Sequence, residues 1–211
     1  MTTWPIQTLS SLRNVVQIAR GIPTARTMPK GEIPVLSVAA LVSNKAATAF
    51  VDMTDVDDVG ALPSEPGDVL VAVEGGSIGD SFFVTPGSPL FVPSQQAITI
   101  RILDQSVLQP QYLAAWMASP TARQQLLLRL ARGAAVKRIS LGDLTSFMIP
   151  LAPIKVQNEI GKSMAEFAEA ITEHERVLNY LIKLREIELT SRFSDQMDPD
   201  SAIESKAKPT L

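Results

Sequence analysis

The chain has no cysteine and only one histidine among its 211 residues. The lack of cysteine excludes disulfides, thiol catalysis and cysteine metal sites, and it fits a reducing cytoplasm, where we expect the protein to reside. The lone histidine, His174, has no second His or Cys to complete a zinc site, and it lies at an apolar seam position of a predicted helix, so no Ser-His-Asp triad is nominated. We therefore expect no catalytic residue, no metal site and no cofactor, and the protein is not predicted to be an enzyme.

Long apolar runs and a net basic charge are also missing. No stretch approaches the roughly 18 apolar residues that would indicate a membrane span. The formal net charge is −3, but residues 1–155 carry 12 Lys and Arg against 11 Asp and Glu, whereas residues 156–211 carry 7 against 11. Five basic residues lie between Asp104 and Asp143 with no acid among them: Arg123, Arg129, Arg132, Lys137 and Arg138. Such segregation permits phosphate contacts, although a solvated surface gives the same pattern.

Apolar periodicity and turn residues predict an α+β fold, with a mostly β domain and short helices over residues 1–152. Strands are expected at 33–40, 67–74, 81–85, 94–102 and 147–149. The glycine-rich stretch 75–79 would join the second and third of these as a hairpin. Short helices are expected at 111–117 and 121–130, with a single helical turn after the capping-box residue Ser140. The acidic stretch 52–58 is expected to be a solvated loop.

One long C-terminal helix of coiled-coil type is predicted for residues 153–193, followed by a disordered tail at 194–211. Pro150 and Pro153 precede the helix, which would be roughly 60 Å long at a rise of about 1.5 Å per residue. Its apolar residues repeat in steps of 4 and 3, as at a coiled-coil interface, until the step changes after Leu181. These seam residues are Ile160, Met164, Phe167, Ile171, His174, Leu178, Leu181 and Leu184. The same pattern also fits an amphipathic helix that lies on its own domain.

Four segments, in this order, carry a resemblance to a known family. They are Gly31-Glu32-Ile33-Pro34-Val35-Leu36; Gly67-Asp68-Val69-Leu70 with residues 75–79; Gln111-Tyr112-Leu113 with residues 132–141; and Ile149-Pro150-Leu151-Ala152-Pro153 with Gln157 and Ile160. Together they resemble the target recognition domain and following helix of a type I restriction–modification DNA specificity subunit. The resemblance covers about residues 4–193, with Val156 where the family more often has Glu. Classical members carry two such domains and two helices, so this sequence resembles a half-subunit.

The resemblance implies a double-stranded DNA-binding subunit that directs a DNA methyltransferase subunit, with or without a restriction subunit, to a target site. Two copies would pair through their helices as a homodimer, or one copy would pair with a different half-subunit. A second hypothesis is an assembly or adaptor module of a related phage-defence complex that does not read DNA. A third is an enzyme that acts alone.

Arginine suits guanine and glutamine suits adenine in the major groove, and basic side chains suit phosphate. On this basis the expected DNA-binding residues are Arg20, Arg26, Lys30, Ser77, Gln95, Gln96, Arg132, Lys137 and Arg138. For each of them, a solvated charge or a loop-fixing hydrogen bond is the alternative interpretation.

Overall fold

The structure, a computed structural model, describes residues 3–133 and 137–194. The chain divides into two compact units, Met1–Met164 and Ala165–Leu211. Among the described residues, no helix is long and apolar enough to cross a membrane. The functional boundaries predicted at residues 152 and 193 remain a prediction. Of the tail predicted at 194–211, Ser194 belongs to the long helix, and residues 195–211 lie outside the described residues.

In chain order the strands are β1 (Ile6–Thr8), β2 (Val16–Arg20), β3 (Ile33–Leu36), β4 (Ala49–Val51), β5 (Val69–Ala72), β6 (Ser81–Phe83), β7 (Val92–Pro93), β8 (Ala97–Ile102) and β9 (Met148–Pro150). The helices are α1 (Val38–Val42), α2 (Met53–Val59), α3 (Pro110–Met117), α4 (Pro120–Gln125), α5 (Leu141–Leu144) and α6 (Ile154–Ser194). A π-helical segment, Leu126–Leu130, follows α4, and 3-10 turns occur at Thr24–Arg26 and Gly75–Ser77. These elements confirm the predicted α+β fold with one long C-terminal helix.

The main sheet has the order β2-β8-β5-β6, and each neighbouring pair is antiparallel. All four residues of β5 are buried, as expected for a central strand made only of apolar side chains. The predicted β5–β6 hairpin is confirmed, with Leu70 opposite Phe82. Gly75 and Gly79 in its turn have φ angles of +74° and +87°, which glycine adopts without the steric penalty of a side chain.

Two smaller sheets are also present among the described residues. In the first, β3 lies between β4, to which it is antiparallel, and β7, to which it is parallel. In the second, β1 pairs with β9 in antiparallel register, so the start of the chain lies against the strand that precedes α6. The backbone amide of Leu151 extends this pairing by donating to the Pro5 oxygen, at 2.7 Å.

The largest hydrophobic core lies against the main sheet and includes side chains from α3, α4, α5 and β9. Leu113, Leu126, Phe147 and Ile149 are completely buried there. Burying one such side chain contributes about 1.5–3 kcal/mol to stability. The first unit therefore has a hydrophobic core made of its own side chains.

Two motif residues that carry the family resemblance have buried structural roles. Asp68 is 1% exposed and accepts hydrogen bonds from Nε and Nη2 of Arg101, each at 2.8 Å. These hydrogen bonds raise the pKa of Arg101 above its usual value. Gln157 is also 1% exposed; its side chain accepts from Gln109 N at 2.9 Å and donates to the oxygens of Val107 and Ala152. The two motif residues therefore fix the start of β5 and the start of α6 rather than offering free side chains.

Two local predictions differ from the structure. The strand expected at 33–40 ends at Leu36, because the Ser37 side chain accepts from Ala40 N at 3.1 Å and caps α1. The acidic stretch expected to be a loop is mostly α2, which buries Val56 completely and ends at Gly60, whose φ is +65°. At α1 the local cap made by Ser37 ends the strand, whereas at α2 the burial of Val56, which requires tertiary packing, outweighs the local preference of the sequence.

The second unit is described by α6 alone. Most side chains from residue 165 to residue 193 are exposed, and Ile182 is half-buried. Its seam residues Phe167, Ile171, Leu178, Leu181 and Leu184 are 43–61% exposed. A helix with this many exposed large apolar side chains presents an unburied hydrophobic surface.

Candidate nucleic-acid interface

Three segments that are distant in the sequence meet at the carboxylate of Glu74, directly after β5. Its Oε1 lies 2.5 Å from Nη2 of Arg138, and its Oε2 lies 3.9 Å from Nη2 of Arg20 at the end of β2. Arg20 also donates from Nε to the backbone oxygen of Gln95, at 2.9 Å. The Glu74 side chain is 13% exposed, whereas those of Arg20 and Arg138 are 38% and 65% exposed. Two arginines thus flank one largely buried carboxylate and keep a net positive charge at the surface.

Backbone hydrogen bonds hold the basic segment 137–139 beside the end of β5. Ile139 N donates to Val73 O at 2.8 Å, and Gly75 N donates to Lys137 O at 3.2 Å. Lys137 is exposed. The sheet therefore positions this basic segment against the glycine-rich turn.

Arg132 belongs to the same cluster through its backbone. Arg132 and Arg138 exchange two backbone hydrogen bonds of 2.7 Å each, and Arg132 is exposed. Hydrogen bonds within the Ser140 capping box lower the pKa of Asp143. The positive charge of Arg132 adds to this lowering. Ser77, in the turn that follows Glu74, is half-buried.

The two glutamines lie on the loop that leads into β8. The Gln95 side chain donates from Nε2 to Thr24 Oγ1, at 3.2 Å, and Gln96 is exposed. Both border a cleft of about 240 Å³, whose hydroxyl- and amide-bearing lining residues are Thr24, Thr27, Ser37, Thr48, Ser94, Gln95 and Gln96. The buried Oγ of Ser94 has no hydrogen-bond partner among the described residues. Hydroxyl and amide groups of this kind donate to and accept from base edges.

Arg26 and Lys30 are placed differently from the other candidates. The Arg26 guanidinium contacts Asp55 at 2.8 Å and Asp58 at 2.7 Å, both on α2. The hydrogen bond to Asp55, followed by the charge of Asp58, raises the pKa of Arg26. Lys30 is exposed and precedes Gly31, whose backbone packs against Phe50 of β4.

The structure therefore brings together six of the nine predicted residues at one end of the main sheet: Arg20, Ser77, Gln95, Arg132, Lys137 and Arg138. Gln96 joins them through its backbone oxygen, which accepts from Val73 N at 2.8 Å. Arg26 faces the acids of α2, and Lys30 lies beside β4. Their roles in DNA binding remain predictions.

Sequence reasoning missed Glu74 and a nearby ion pair. Arg123 on α4 contacts Asp80 at 3.0 Å, and both side chains are more than one third exposed. The signal for Glu74 is slight: a single acid that ends an apolar strand, just before glycines. Its partners could not be read from the sequence, because Arg20 and Arg138 lie far from it along the chain.

Comparisons with known proteins supply the identity of this fold. Residues 2–182 match the family model described as the type I restriction modification DNA specificity domain. The S subunit of a type I restriction–modification system from M. genitalium has a TM-score of 0.63 and 18% identity, with 97% of this chain and 50% of that chain covered. The HsdS subunit from Thermoanaerobacter tengcongensis has a TM-score of 0.55 and 18% identity, with coverages of 82% and 39%.

A third structure is described as the structural basis of complex assembly and conformational transition of the type I R-M system. It has a TM-score of 0.59 and 17% identity, with 89% of this chain and 44% of that chain covered. The chain thus spans about half or less of the length of the solved structures it matches. No curated protein matches its sequence. The family match over most of the chain confirms the resemblance drawn from its motifs, and the chain belongs to the type I restriction modification DNA specificity domain family.

Proposed function

We propose that the chain is a sequence-specific DNA-binding subunit that recruits a DNA methyltransferase, with or without a restriction subunit, to its target in the cytoplasm. The observation that carries this proposal is the convergence of basic and amide side chains around Glu74, in a chain that belongs to a DNA specificity family. Basic groups alone would suit any polyanion, and amide groups add the capacity to distinguish base edges.

Phosphate contacts and base contacts would be divided between two parts of this surface. Arg132 and Lys137 are exposed and would bind phosphates, which fixes the position of the duplex. Gln95, Gln96 and the outward-facing Arg138 would reach base edges, since glutamine pairs with adenine and arginine with guanine. Ser77, in the turn between them, can donate to either kind of group.

Arg20, Arg26 and Lys30 would contribute less to DNA binding. Arg20 donates to Gln95 O and lies near Glu74, so part of its role is to fix the glutamine loop. Arg26 is already engaged by two carboxylates, which compete with phosphate for the same guanidinium. Lys30 retains an exposed charge and would act as a peripheral phosphate contact.

The exposed seam of α6 would pair with a second copy of the chain. From Glu159 to Glu175 the helix carries five glutamates and one lysine, whereas from Arg176 to Arg192 it carries four basic residues and two glutamates. An antiparallel pair sets the acidic half of each helix against the basic half of the other. A parallel pair would place like charges together, so the charge pattern favours an antiparallel homodimer.

A short second row of apolar residues would remain uncovered in this dimer. Val177 and Tyr180, three positions apart, are 49% and 63% exposed and lie off the predicted seam. We propose that this row contacts the methyltransferase subunit, because a two-helix pair buries only one stripe of each helix.

Selection from a pool of random duplexes tests the DNA-reading proposal. The purified chain is mixed with the pool at low salt, and bound duplexes are recovered and sequenced over several rounds. The proposal predicts enrichment of one sequence motif and an affinity that falls steeply with salt. Failure to bind any duplex while the helix pair remains intact contradicts it and supports the adaptor hypothesis, which the pairing of Arg26, Arg123 and Arg138 with acids favours.

A further inference from the structure

We propose that Glu74 is a positioning residue for sequence discrimination: it fixes the directions of Arg20 and Arg138 at the expense of attraction for DNA. This inference rests on the proposed function and adds a role for a negatively charged residue within it. A carboxylate at a DNA-binding surface lowers the local positive potential. Its presence there therefore calls for a compensating role.

The geometry around Glu74 supports such a role. Its carboxylate is more deeply buried than either arginine, and one oxygen faces each guanidinium. At 2.5 Å the contact with Arg138 is a close ion pair, which restricts the rotamers of a long and otherwise exposed side chain. Bidentate contact with a base requires a fixed orientation of the guanidinium, whereas attraction to phosphate does not.

The carboxylate itself is held by the sheet. Its neighbour Val73 is completely buried, donates to Gln96 O and accepts from Ile139 N, each at 2.8 Å. One strand end thus links the glutamine loop to the basic segment. A side chain attached at this point can hold the two arginines in a fixed position relative to both loops.

Glu74→Gln separates this role from simple electrostatics. If only the charge matters, the substitution raises the affinity for every duplex by the same factor. If Glu74 positions the arginines, the affinity for unrelated duplexes rises while that for the target does not. The ratio of target to unrelated binding then falls about tenfold, within the range expected for one well-oriented base contact.

Asp80→Asn is the matched control. Asp80 lies in the same hairpin turn region, pairs with a single arginine (Arg123, at 3.0 Å) and is 38% exposed. Its substitution removes one negative charge close to the same surface but leaves the Glu74 contacts in place. We expect Asp80→Asn to raise binding to both duplexes together and to leave their ratio unchanged.

Glu74→Asp provides a second variant that keeps the charge and shortens the reach. Positioning predicts that it lowers the discrimination ratio without raising the affinity for unrelated DNA, whereas a pure charge effect predicts no change. Thermal melting of each variant checks that the sheet remains folded.

The measurement is titration of the full chain with the duplex enriched from the random pool and with a scrambled duplex of the same composition. The proposal expects the ratio to fall in both Glu74 variants and to stay constant in Asp80→Asn. It is overturned if Glu74→Gln and Asp80→Asn give the same ratio, or if Glu74→Asp behaves like the unchanged chain. If the unchanged chain selects no sequence, the proposed function itself fails, and the role of Glu74 within it fails too.

Discussion

In the globular unit, Phe91, Phe147 and Leu113 are at most 1% exposed, whereas in the helix of the second unit Phe167, Leu178 and Tyr180 are 57–63% exposed. The first unit hides large apolar side chains in its own core and pairs its buried charges internally. The second offers comparable side chains to solvent along one helix. This difference indicates that the first unit carries its own stability, and it is the basis for the proposal that the second is stabilised by a partner molecule.

The largest expected effect tests whether the globular unit is stabilised by its own buried contacts. Asp68→Asn removes a buried carboxylate and leaves the Arg101 guanidinium, which is 15% exposed, without its main partner. Breaking such a pair should lower the free energy of unfolding by about 3 kcal/mol. Chemical denaturation followed by circular dichroism measures this change.

The control for Asp68→Asn is Glu65→Gln, which affects the same arginine from a side chain that is 62% exposed. An exposed pair is worth about 0–1 kcal/mol, so this variant should be nearly as stable as the unchanged chain. Equal losses in the two variants would contradict the distinction between the buried and exposed partners of Arg101.

The next effect concerns the dependence of the helix on a partner. Leu178→Glu places two charges in the seam of the proposed dimer, one from each copy, and should raise the dimer Kd about 100-fold, or roughly 2.7 kcal/mol. Sedimentation equilibrium measures the Kd, and the melting of the globular core should not change.

Asn179→Glu is the matched control, because it adds the same charge to the neighbouring position, which lies off the seam. Its dimer Kd should stay close to that of the unchanged chain. If the dimer tolerates Leu178→Glu as well as it tolerates Asn179→Glu, the helix seam is not the dimer interface.

A smaller effect separates two kinds of arginine and lysine within the globular unit. Arg132→Ala and Lys137→Ala each remove an exposed cation and should make the slope of log affinity against log salt less negative by about 0.9. Arg26→Ala should change this slope less, because Asp55 and Asp58 already neutralise Arg26. Fluorescence anisotropy at several salt concentrations gives the three slopes, and an unchanged slope in both of the first two variants rejects this basic patch.

The smallest effect lies at the Ser140 capping box. Ser140→Ala should lower the free energy of unfolding by about 1 kcal/mol, because it leaves Asp143 N without its cap. The folded-state pKa of Asp143 is depressed, so its contribution is present above the ordinary value of about 3.9 and is lost as the pH falls through the folded pKa. Thermal melts between neutral and acidic pH should show this loss in the unchanged chain, and a smaller one in Asp143→Asn.

Elements with strong local signals could be predicted from the sequence. The β5–β6 hairpin follows from a β-branched run and its glycines, α5 from its capping box, and α6 from its periodicity and flanking prolines. By contrast, α2 depends on the burial of Val56 and on the contacts of Arg26, which belongs to a distant segment. Local preference could not reveal either contact.

The candidate site divides in the same way. Residue chemistry identified the basic and amide side chains one by one, since arginine, lysine and glutamine suit phosphates and bases. It could not show that Glu74 joins Arg20 to Arg138, because that contact exists only after β2, β5 and segment 137–139 come together. Nor could it show that Arg26 is neutralised by an acidic stretch expected to be a loop.

The central claim is that two copies of this DNA-reading unit are held at a set distance by paired helices. A two-fold dimer should select two inverted half-sites, and adding about five base pairs between them turns one half-site to the opposite face of the duplex. Competition binding of the full chain to the original and lengthened duplexes is the most direct measurement. The account predicts that affinity for the lengthened duplex drops to that for a single half-site; equal affinity for both duplexes would contradict it.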